Sequence, residues 1–225
     1  MTLEVLPDVE SAARHAADIV AAEARAAVQA RGRFTVAISG GRTPWVMLRA
    51  LSSLDVPWER VHVLQVDERI APDGHPDRNL THLRESLQGP EHVLAMPVES
   101  PDLDEAAARY ARTLVDIAGS PPVLDLVHLG LGPDGHTASL VPGDPVLGVT
   151  DADVAMTGVY QGRRRMTLTY PVLNRARRVL WLITGEDKAA MLVRLRRGDP
   201  AIPAGRVRQD DAVVLADRAA AGQGQ

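Results

Sequence analysis

The apolar residues of this chain follow two spacings, one typical of buried strands and the other typical of helices. Residues 3–6 and 34–38 are short, mostly apolar runs that predict strands. Between them, apolar residues recur at helical spacing from Val9, with Asp8 as the predicted N-cap and an end near Gly32. The same patterns predict strands at 61–66, 92–96, 124–129, 154–159, 166–170, 179–184 and 212–216. They predict helices from Pro44 and at 79–87, 103–117, 171–177 and 187–197.

Strands and helices alternate along the chain, which predicts the α/β class with a mainly parallel sheet and helices on both of its faces. No repeat or linker divides the sequence, so we expect one domain over residues 1–225, with 219–225 as a frayed tail. In such sheets, ligands bind beyond the carboxyl ends of the strands. Functional residues are therefore expected directly after strands.

The composition narrows the kind of protein. Apolar residues make up 45% of the chain but aromatic residues only 3%, which predicts a core of aliphatic side chains and alanine. The formal net charge of −4 argues against nucleic acid or an anionic membrane as a partner. The absence of cysteine excludes thiol catalysis and disulfide bonds. The first twenty residues carry four acidic residues and no long apolar run, so we expect a cytoplasmic protein.

The first candidate for binding a phosphate group is the turn 39–44, Ser-Gly-Gly-Arg-Thr-Pro. It joins a predicted buried strand to a helix, with Thr43 as the predicted N-cap and Pro44 at the first helical position. Gly40 and Gly41 let the backbone approach a ligand, and the free N–H groups of a first helical turn attract anions. The turn is not a Walker A loop, because Lys-Ser/Thr does not follow at the required spacing. An ordinary tight turn is the alternative interpretation.

Three further stretches place positive charge at the ends of predicted strands. They are Asp-Glu-Arg at 67–69, Arg-Arg-Arg at 163–165, and Gly-Glu-Asp-Lys at 185–188. Lys188 is the single lysine among 25 basic residues, which favours a need for a compact charge at that position. Each stretch alone is typical of a solvated surface. Together with the turn 39–44, however, they would surround a phosphate monoester.

The loop 130–139 has the sequence Gly-Leu-Gly-Pro-Asp-Gly-His-Thr-Ala-Ser. Its first six residues match the dinucleotide-binding pattern G-x-G-x-x-G, but Pro142 and Pro145 exclude the long helix that would receive a pyrophosphate. We predict instead that His136 takes a proton from water, because histidine titrates near neutral pH. Asp134 either pairs with His136 or contacts hydroxyl groups of a substrate.

Other arrangements for catalysis are missing from the sequence. No His-x-x-x-His pair and no compact group of histidine and carboxylate residues occurs at ligand spacing, so we expect neither a metal ion nor another cofactor. Ser139 lacks the G-x-S-x-G context of a serine hydrolase. His62, His92 and His128 fall in predicted strands and are expected to be core or edge residues.

Taken in this order, these stretches resemble the 6-phosphogluconolactonases over about residues 35–190. The matching pieces lie at 39–44, 67–69, 75–79, 130–140, 165–169, 171–174 and 185–189. The resemblance implies a modified Rossmann-like fold, shared with glucosamine-6-phosphate deaminases and ribose-5-phosphate isomerases. It implies hydrolysis of a small phosphorylated sugar lactone, 6-phospho-D-glucono-1,5-lactone, without a metal ion. We expect a monomer or a small homo-oligomer.

The resemblance also implies roles for particular residues. His136 is the implied base with Asp134 beside it, and the donor to the developing oxyanion is either Arg69 or a backbone N–H of the loop 130–135. Substrate contacts are implied for Ser39, Gly40, Gly41, Arg42, Thr43, Asp67, Asn79, Arg165 and Lys188. Which arginine of 163–165 faces the substrate is left open. Arg78 departs from the family pattern, in which serine is common at this position.

Two alternatives share the fold. The deaminases follow Gly-x-Gly-x-Asp-Gly-His with Ile-Ala-Phe-Asn-Glu-Pro, whereas in this chain Val141 occupies the position of the glutamate. A tyrosine usually follows Asp-Glu in deaminases, and this chain has Arg69 there. Both differences favour the lactonase. A non-catalytic phosphosugar-binding protein is the second alternative, and it would not need the loop 130–139.

Overall fold

The computed structural model describes residues 1–223 and contains ten strands and six α-helices in that range. The strands are β1 (Thr2–Leu6), β2 (Phe34–Ile38), β3 (Val61–Gln65), β4 (Asp67–Arg69), β5 (His92–Leu94), β6 (Leu126–Leu129), β7 (Val154–Met156), β8 (Arg165–Leu168), β9 (Arg178–Ile183) and β10 (Ala212–Asp217). The helices are α1 (Val9–Arg31), α2 (Arg42–Leu51), α3 (Asn79–Ser86), α4 (Leu103–Ala118), α5 (Tyr170–Arg175) and α6 (Ala189–Arg196). Short 3₁₀ turns lie at Trp58–Arg60, Pro145–Gly148, Glu186–Lys188 and Pro203–Arg206.

Seven strands form one sheet in the order β1-β10-β9-β6-β2-β3-β5, and every neighbouring pair is parallel. All residues of the central strands β2 and β6 are buried, as expected for strands covered on both sides. The predicted α/β class with a mainly parallel sheet is therefore confirmed. The carboxyl ends of β2, β3, β6 and β9 lie along one edge, where the connecting loops meet.

Helices cover both faces of this sheet. Phe34, Val36 and Ile38 of β2 point to one face, where they share a core with the alanine-rich side of α1 and with α2 and α3. Ala37 of β2 points to the opposite face, which packs against α4, α5 and α6. This alternation follows from the two-residue period of a strand. No helix within residues 1–223 is long and apolar enough to cross a membrane.

A second sheet of three antiparallel strands, β4-β8-β7, lies beside the carboxyl edge of the main sheet. Strand β4 was not predicted, because its three residues are polar and carry no apolar period. The predicted strand 154–159 is shorter in the structure and ends at Met156, and the chain turns later, at Gln161 and Gly162. In the register of this sheet, Arg69 lies opposite Arg165. A pairing between distant segments therefore brings two of the predicted site residues together.

The ends of the helices show which local predictions are correct. Asp8 caps α1 as predicted, accepting the backbone N–H of Ser11 at 2.7 Å, and Gly32 ends the helix in the left-handed region with φ of 74°. The predictions of Thr43 as the N-cap of α2 and of Pro44 at its first position are both wrong. The helix begins at Arg42 after Gly41, whose φ of 136° favours glycine.

The carboxyl end of the described chain is more ordered than the predicted tail. Ala219–Gln223 form hydrogen-bonded turns, and Ala220 is 1% exposed within the core. Residues 224–225 of the predicted tail lie outside the described part of the chain. Ala220 is packed in the core and donates its backbone N–H to Oδ1 of Asp217 at 2.8 Å, and these contacts tie the segment to the end of β10.

Candidate active site

A cleft of about 290 Å³ opens beyond the carboxyl ends of β2 and β6, next to β4 and β8. Its walls come from the turn after β2, the loop after β6, α3, and strands β4 and β8 of the small sheet. The predicted site residues that line it are Ser39, Gly40, Gly41, Arg42, Asp67, Asn79, Arg69, His136 and Arg165. Five separate segments thus converge on one polar cavity at the place expected for this class of sheet.

His136 is held by the carboxylate of Asp134. Oδ1 of Asp134 lies 2.5 Å from Nδ1 of His136 and also accepts the backbone N–H of His136 at 3.1 Å. Oδ2 accepts the hydroxyl of Tyr160 at 3.1 Å. Because a carboxylate on Nδ1 favours a proton there, Nε2 is the nitrogen left with a free lone pair. The alternative in which Asp134 leaves His136 to contact a substrate is not the arrangement seen here.

The backbone of the loop fixes this pair. The N–H of Gly132 donates to the carbonyl of His136 at 2.8 Å, and the N–H of Gly135 donates to the carbonyl of Gly132 at 3.0 Å. Gly135 has φ of 85°, and the left-handed region favours glycine. The loop is followed by the 3₁₀ turn Pro145–Gly148 rather than by a long helix. The loop therefore places the side chain of His136 at the cleft, where a dinucleotide-binding loop would place the amino terminus of a helix.

The electrostatics keep Asp134 charged. Burial would raise its pKa, but the backbone N–H and ring of His136, together with the Tyr160 hydroxyl, hold the pKa of this carboxyl below its usual value. Burial and the facing charge of Asp134 raise the pKa of Tyr160, so this phenol remains a hydrogen-bond donor. Around neutral pH, the group next to Nδ1 of His136 is therefore a carboxylate.

A second network connects Arg69 and Asn79 to the floor of the cleft. Nη1 of Arg69 donates to Oδ1 of Asn79 at 3.1 Å and to the carbonyl of Asp77 at 2.9 Å. Nδ2 of Asn79 donates to the carbonyl of Asp67 at 3.0 Å. The position of Asn79 requires glycine at residue 40, because an added Cβ there would lie 2.1 Å from Oδ1 of Asn79. Both ends of the Asn79 amide are thus hydrogen-bonded within the protein, to Arg69 and to Asp67.

Asp67 lies beneath the cleft and is 6% exposed. Oδ2 accepts the hydroxyl of Ser139 at 2.5 Å, and the backbone N–H of Ser139 in turn donates to Oγ1 of Thr167 at 3.2 Å. Burial raises the pKa of Asp67, against the opposing effects of the Ser139 hydroxyl and the Arg165 and Arg69 guanidinium groups. Ser39, another buried residue of the cleft, has no partner for its hydroxyl among residues 1–223.

The structure separates the three consecutive arginines. Arg163 bonds Oδ2 of Asp77 through Nε at 2.6 Å, and Arg164 donates to the carbonyl of Thr157 at 3.3 Å. Arg165 is 4% exposed and lines the cleft, with its guanidinium 5.0 Å from the centre of the Tyr160 ring. Arg165 is therefore the arginine of this stretch that faces the cavity.

Thr43 and Lys188 lie in a neighbouring cleft of about 510 Å³, not in the one that contains His136. The two cavities share Gly40–Arg42 and Gly130–Leu131 as their common wall. Oγ1 of Thr43 is 2.7 Å from Oγ1 of Thr184, so its side chain bridges α2 to the end of β9. Nζ of Lys188 pairs with Oδ2 of Asp187 at 2.8 Å. The predicted cationic surround is thus divided between two adjoining cavities.

Comparison with known proteins decides the family. A family model described as "Glucosamine-6-phosphate isomerases/6-phosphogluconolactonase" matches residues 7–215. The chain belongs to this family. A 6-phosphogluconolactonase from Nostoc sp. is 34% identical over 203 residues, covering 86% of this chain and 84% of the relative.

Solved structures of family members have the same fold. A 6-phosphogluconolactonase from Thermotoga maritima is 27% identical, with a TM-score of 0.83 and coverage of 96% of this chain and 98% of that one. A monomeric glucosamine-6-phosphate deaminase has a TM-score of 0.84 at 20% identity, and the match covers 100% of both chains. The likeness to the deaminase concerns the fold alone.

In this member of the glucosamine-6-phosphate isomerase/6-phosphogluconolactonase family, three aromatic residues of the site were not predicted. Tyr160 bonds Asp134, and Trp45 and His82 line the cleft with their ring centroids 5.8 Å apart. Trp45 directly follows the turn 39–44, and that position could have indicated it. Tyr160 reaches Asp134 across a sequence separation of 26 residues, and no local pattern predicts such a contact. Among residues 1–223, no three histidine or acidic side chains are grouped to hold a metal ion.

Proposed function

We propose that this protein hydrolyses 6-phospho-D-glucono-1,5-lactone to 6-phosphogluconate, with His136 as the general base. The observation that carries the proposal is the 2.5 Å contact between Asp134 and Nδ1 of His136 at the edge of a cleft that also holds Arg69 and Arg165. Membership of the family and the names of its curated relatives support the reaction. A lactone is an activated ester, so general-base assistance of about 10²–10⁴-fold is a sufficient contribution.

In the proposed reaction, Nε2 of His136 accepts a proton from water while the water oxygen bonds to the carbonyl carbon of the lactone. The tetrahedral intermediate then expels the ring oxygen, and the imidazolium returns the proton to that oxygen, which leaves as a hydroxyl group. Asp134 stabilises the imidazolium between the two steps, because its carboxylate remains charged and adjacent to Nδ1. The new carboxyl group ionises in solution.

Arg69 is the donor that we assign to the developing oxyanion. The N–H groups of Gly132 and Gly135 already donate within the loop, so the backbone alternative is reduced to the remaining N–H groups of residues 130–135. Arg69 uses Nη1 for Asn79 and for a backbone carbonyl, and it retains further N–H groups for the cleft that it lines. The fixed position of the guanidinium limits the reorganisation that stabilisation of the oxyanion would need.

We assign the substrate phosphate to the neighbouring cleft, where Arg42, Thr43 and Lys188 lie around the amino end of α2. The shared wall of Gly40 and Gly41 allows the lactone ring to occupy the cavity of His136 while the phosphate occupies the other. Glycine suits this wall because a phosphorylated ligand must pass close to the backbone. Binding of the phosphate would orient the carbonyl carbon toward the base.

The test is the rate of 6-phosphogluconate formation above spontaneous hydrolysis, with ammonia release from glucosamine 6-phosphate measured in parallel. We expect lactone hydrolysis without ammonia release; the opposite pattern would establish the deaminase alternative. His136→Ala is expected to lower kcat by about 10²–10⁴-fold and to leave the affinity for 6-phosphogluconate largely unchanged. Lys188→Gln should chiefly raise KM. Near-normal turnover of His136→Ala would exclude the proposed base.

A further inference from the structure

Tyr160 contacts the base of the proposed reaction, the carboxylate beside that base and one arginine of the cleft. Its hydroxyl donates to Oδ2 of Asp134 at 3.1 Å, and its ring stands edge-on to His136 with the two ring centroids 5.4 Å apart. The guanidinium of Arg165 lies 5.0 Å from the centre of the same ring. One side chain thus touches the carboxylate beside the base, the base itself and a cation of the cleft.

The segment that carries Tyr160 is a tight hairpin. Tyr160 and Arg163 exchange backbone hydrogen bonds of 2.9 and 3.3 Å around the two residues Gln161 and Gly162. These two residues have φ of 51° and 78°, and a type I′ hairpin turn requires a positive φ at both central positions. Oε1 of Gln161 also accepts from Nη2 of Arg165 at 3.2 Å. The turn therefore fixes the direction of Tyr160 relative to Arg165.

Arg163 attaches this hairpin to the opposite wall of the cleft. Its Nε bonds Oδ2 of Asp77 at 2.6 Å, and Nη1 donates to the carbonyl of Ile70 at 3.2 Å. Both partners lie in the segment between Arg69 and Asn79, whose side chains line the cleft. These contacts limit the freedom of the tyrosine hydroxyl, because both sides of the hairpin are restrained.

We propose that Tyr160 is the positioning residue of the site: its hydroxyl directs the Asp134 carboxylate toward Nδ1 of His136, and its ring holds Arg165 in the same geometry. A carboxylate can rotate about its bond to Cβ. A donor on Oδ2 restricts that rotation and leaves Oδ1 for the imidazole. The guanidinium of Arg165 is attracted electrostatically to the face of this ring, and this attraction holds it beside the cleft. The kinetic test of this inference rests on the proposed function, because it measures lactone hydrolysis, whereas the NMR test does not.

The hydroxyl is the donor that Oδ2 of Asp134 accepts. Without it, the carboxylate is free to rotate away from Nδ1 of His136. The other charged or titratable groups that line the cleft from the surrounding elements are Arg42 of α2, His82 of α3, Asp67 and Arg69 of β4, and Arg165 of β8. None of these is altered by replacing tyrosine with phenylalanine, so a change in kcat or in the ring signals of His136 would report on the Asp134 contact.

The experiment compares the steady-state kinetics of Tyr160→Phe with those of the unaltered enzyme. We expect kcat to fall about 10-fold with little change in KM. Tyr160→Leu, which also removes the ring, should in addition raise KM because Arg165 loses its support. Val159→Ala is the matched control, because this neighbouring side chain is 71% exposed and lies outside the site.

A second readout needs no turnover. The two ring nitrogens of His136 are observed by NMR in protein labelled with ¹⁵N-histidine, and their signals are assigned among the seven histidines by their loss in His136→Gln. Tyr160→Phe should shift the Nδ1 signal toward that of a mixture of the two tautomers, because Asp134 no longer holds the proton on Nδ1, whether or not the lactone is the substrate. An unchanged kcat together with an unchanged Nδ1 signal would overturn the inference. Absence of lactone hydrolysis by the unaltered protein would instead overturn the proposed function, with the NMR result still deciding the role of Tyr160.

Discussion

His136 lies against the backbone of Gly132, at a distance that no side chain at position 132 would allow. An added Cβ would lie 2.1 Å from Nδ1 of His136 and 2.7 Å from Oδ1 of Asp134. The second glycine of the G-x-G pattern is thus required by an imidazole and its carboxylate. In a dinucleotide-binding protein, the same glycine allows a pyrophosphate to approach. The same short pattern therefore arises from two unrelated steric needs.

Gly132→Ala is the corresponding prediction. The methyl group would displace the imidazole and lengthen the contact to Asp134, so we expect kcat to fall by about 10²-fold. The melting temperature should change little, because φ of Gly132 is not in the left-handed region. Steady-state kinetics and thermal melting measure the two effects. Gly148→Ala is the control, because an added Cβ there meets no atom within 4 Å. Unchanged turnover of Gly132→Ala would mean that the ring position does not matter.

At the scale of elements, Glu68 joins the small sheet to α3. Its two carboxylate oxygens accept the backbone N–H groups of Asn79 at 2.8 Å and Leu80 at 2.9 Å, which are the first residues of the helix. Nε of Arg78 lies 3.1 Å from Oε2 of Glu68, and both side chains are almost fully buried. A strand residue thus replaces the local cap that α3 lacks. This contact places Asn79 beside Arg69.

Glu68→Gln should lower the free energy of unfolding by about 3–5 kcal/mol, because it leaves the guanidinium of Arg78 buried without its partner charge. Arg78→Met should also destabilise the fold, since the carboxylate loses the same partner. In the double variant we expect a loss smaller than the sum of the two single losses, by about 0.5–3 kcal/mol. Urea unfolding of the four proteins measures this difference. Strictly additive losses would show that the two side chains do not interact.

The sequence predicted those elements that apolar periodicity defines, such as the strands of the main sheet and the long helix α1. It could not predict β4, which owes its existence to pairing with β8 about a hundred residues later. Nor could it predict that Lys188 and Arg165 line two different cavities. The strand order β9-β6-β2-β3 decides which loops share a cavity, and that order is not the order of the chain. Tyr160 was missed for the same reason, since its contact is tertiary.

At the scale of the whole molecule, the sheet separates two apolar layers, and His128 lies within its centre. It belongs to β6, is 0% exposed, and pairs in register with Ile38 and Leu180 on the neighbouring strands. Neither ring nitrogen has a hydrogen-bond partner within residues 1–223. Burial lowers the pKa of His128 to about 4, so the ring is neutral in the folded protein at pH 7.

This burial makes the stability of the fold depend on pH. In the unfolded chain the ring has a pKa of 6.5, so between pH 6.5 and about 4 the unfolded state binds a proton that the folded state does not. Stability is therefore fully present above pH 6.5 and is lost as the pH falls through this window. The total loss is on the order of 3 kcal/mol, from about 1.4 kcal/mol per pKa unit.

His128→Leu removes the titrating ring and keeps the site apolar, like its neighbours Ile38 and Leu180. We expect the variant to be at least as stable as the unaltered protein at pH 7, and to exceed its stability increasingly as the pH falls toward 4. The measurement is urea unfolding at several pH values, and the difference between the two proteins cancels the effect of the carboxyl groups that both contain. Val159→Ala, at a position that is 71% exposed and carries no titrating group, serves as the control and should follow the unaltered protein. A difference that does not vary with pH would mean that His128 is not held neutral by the fold.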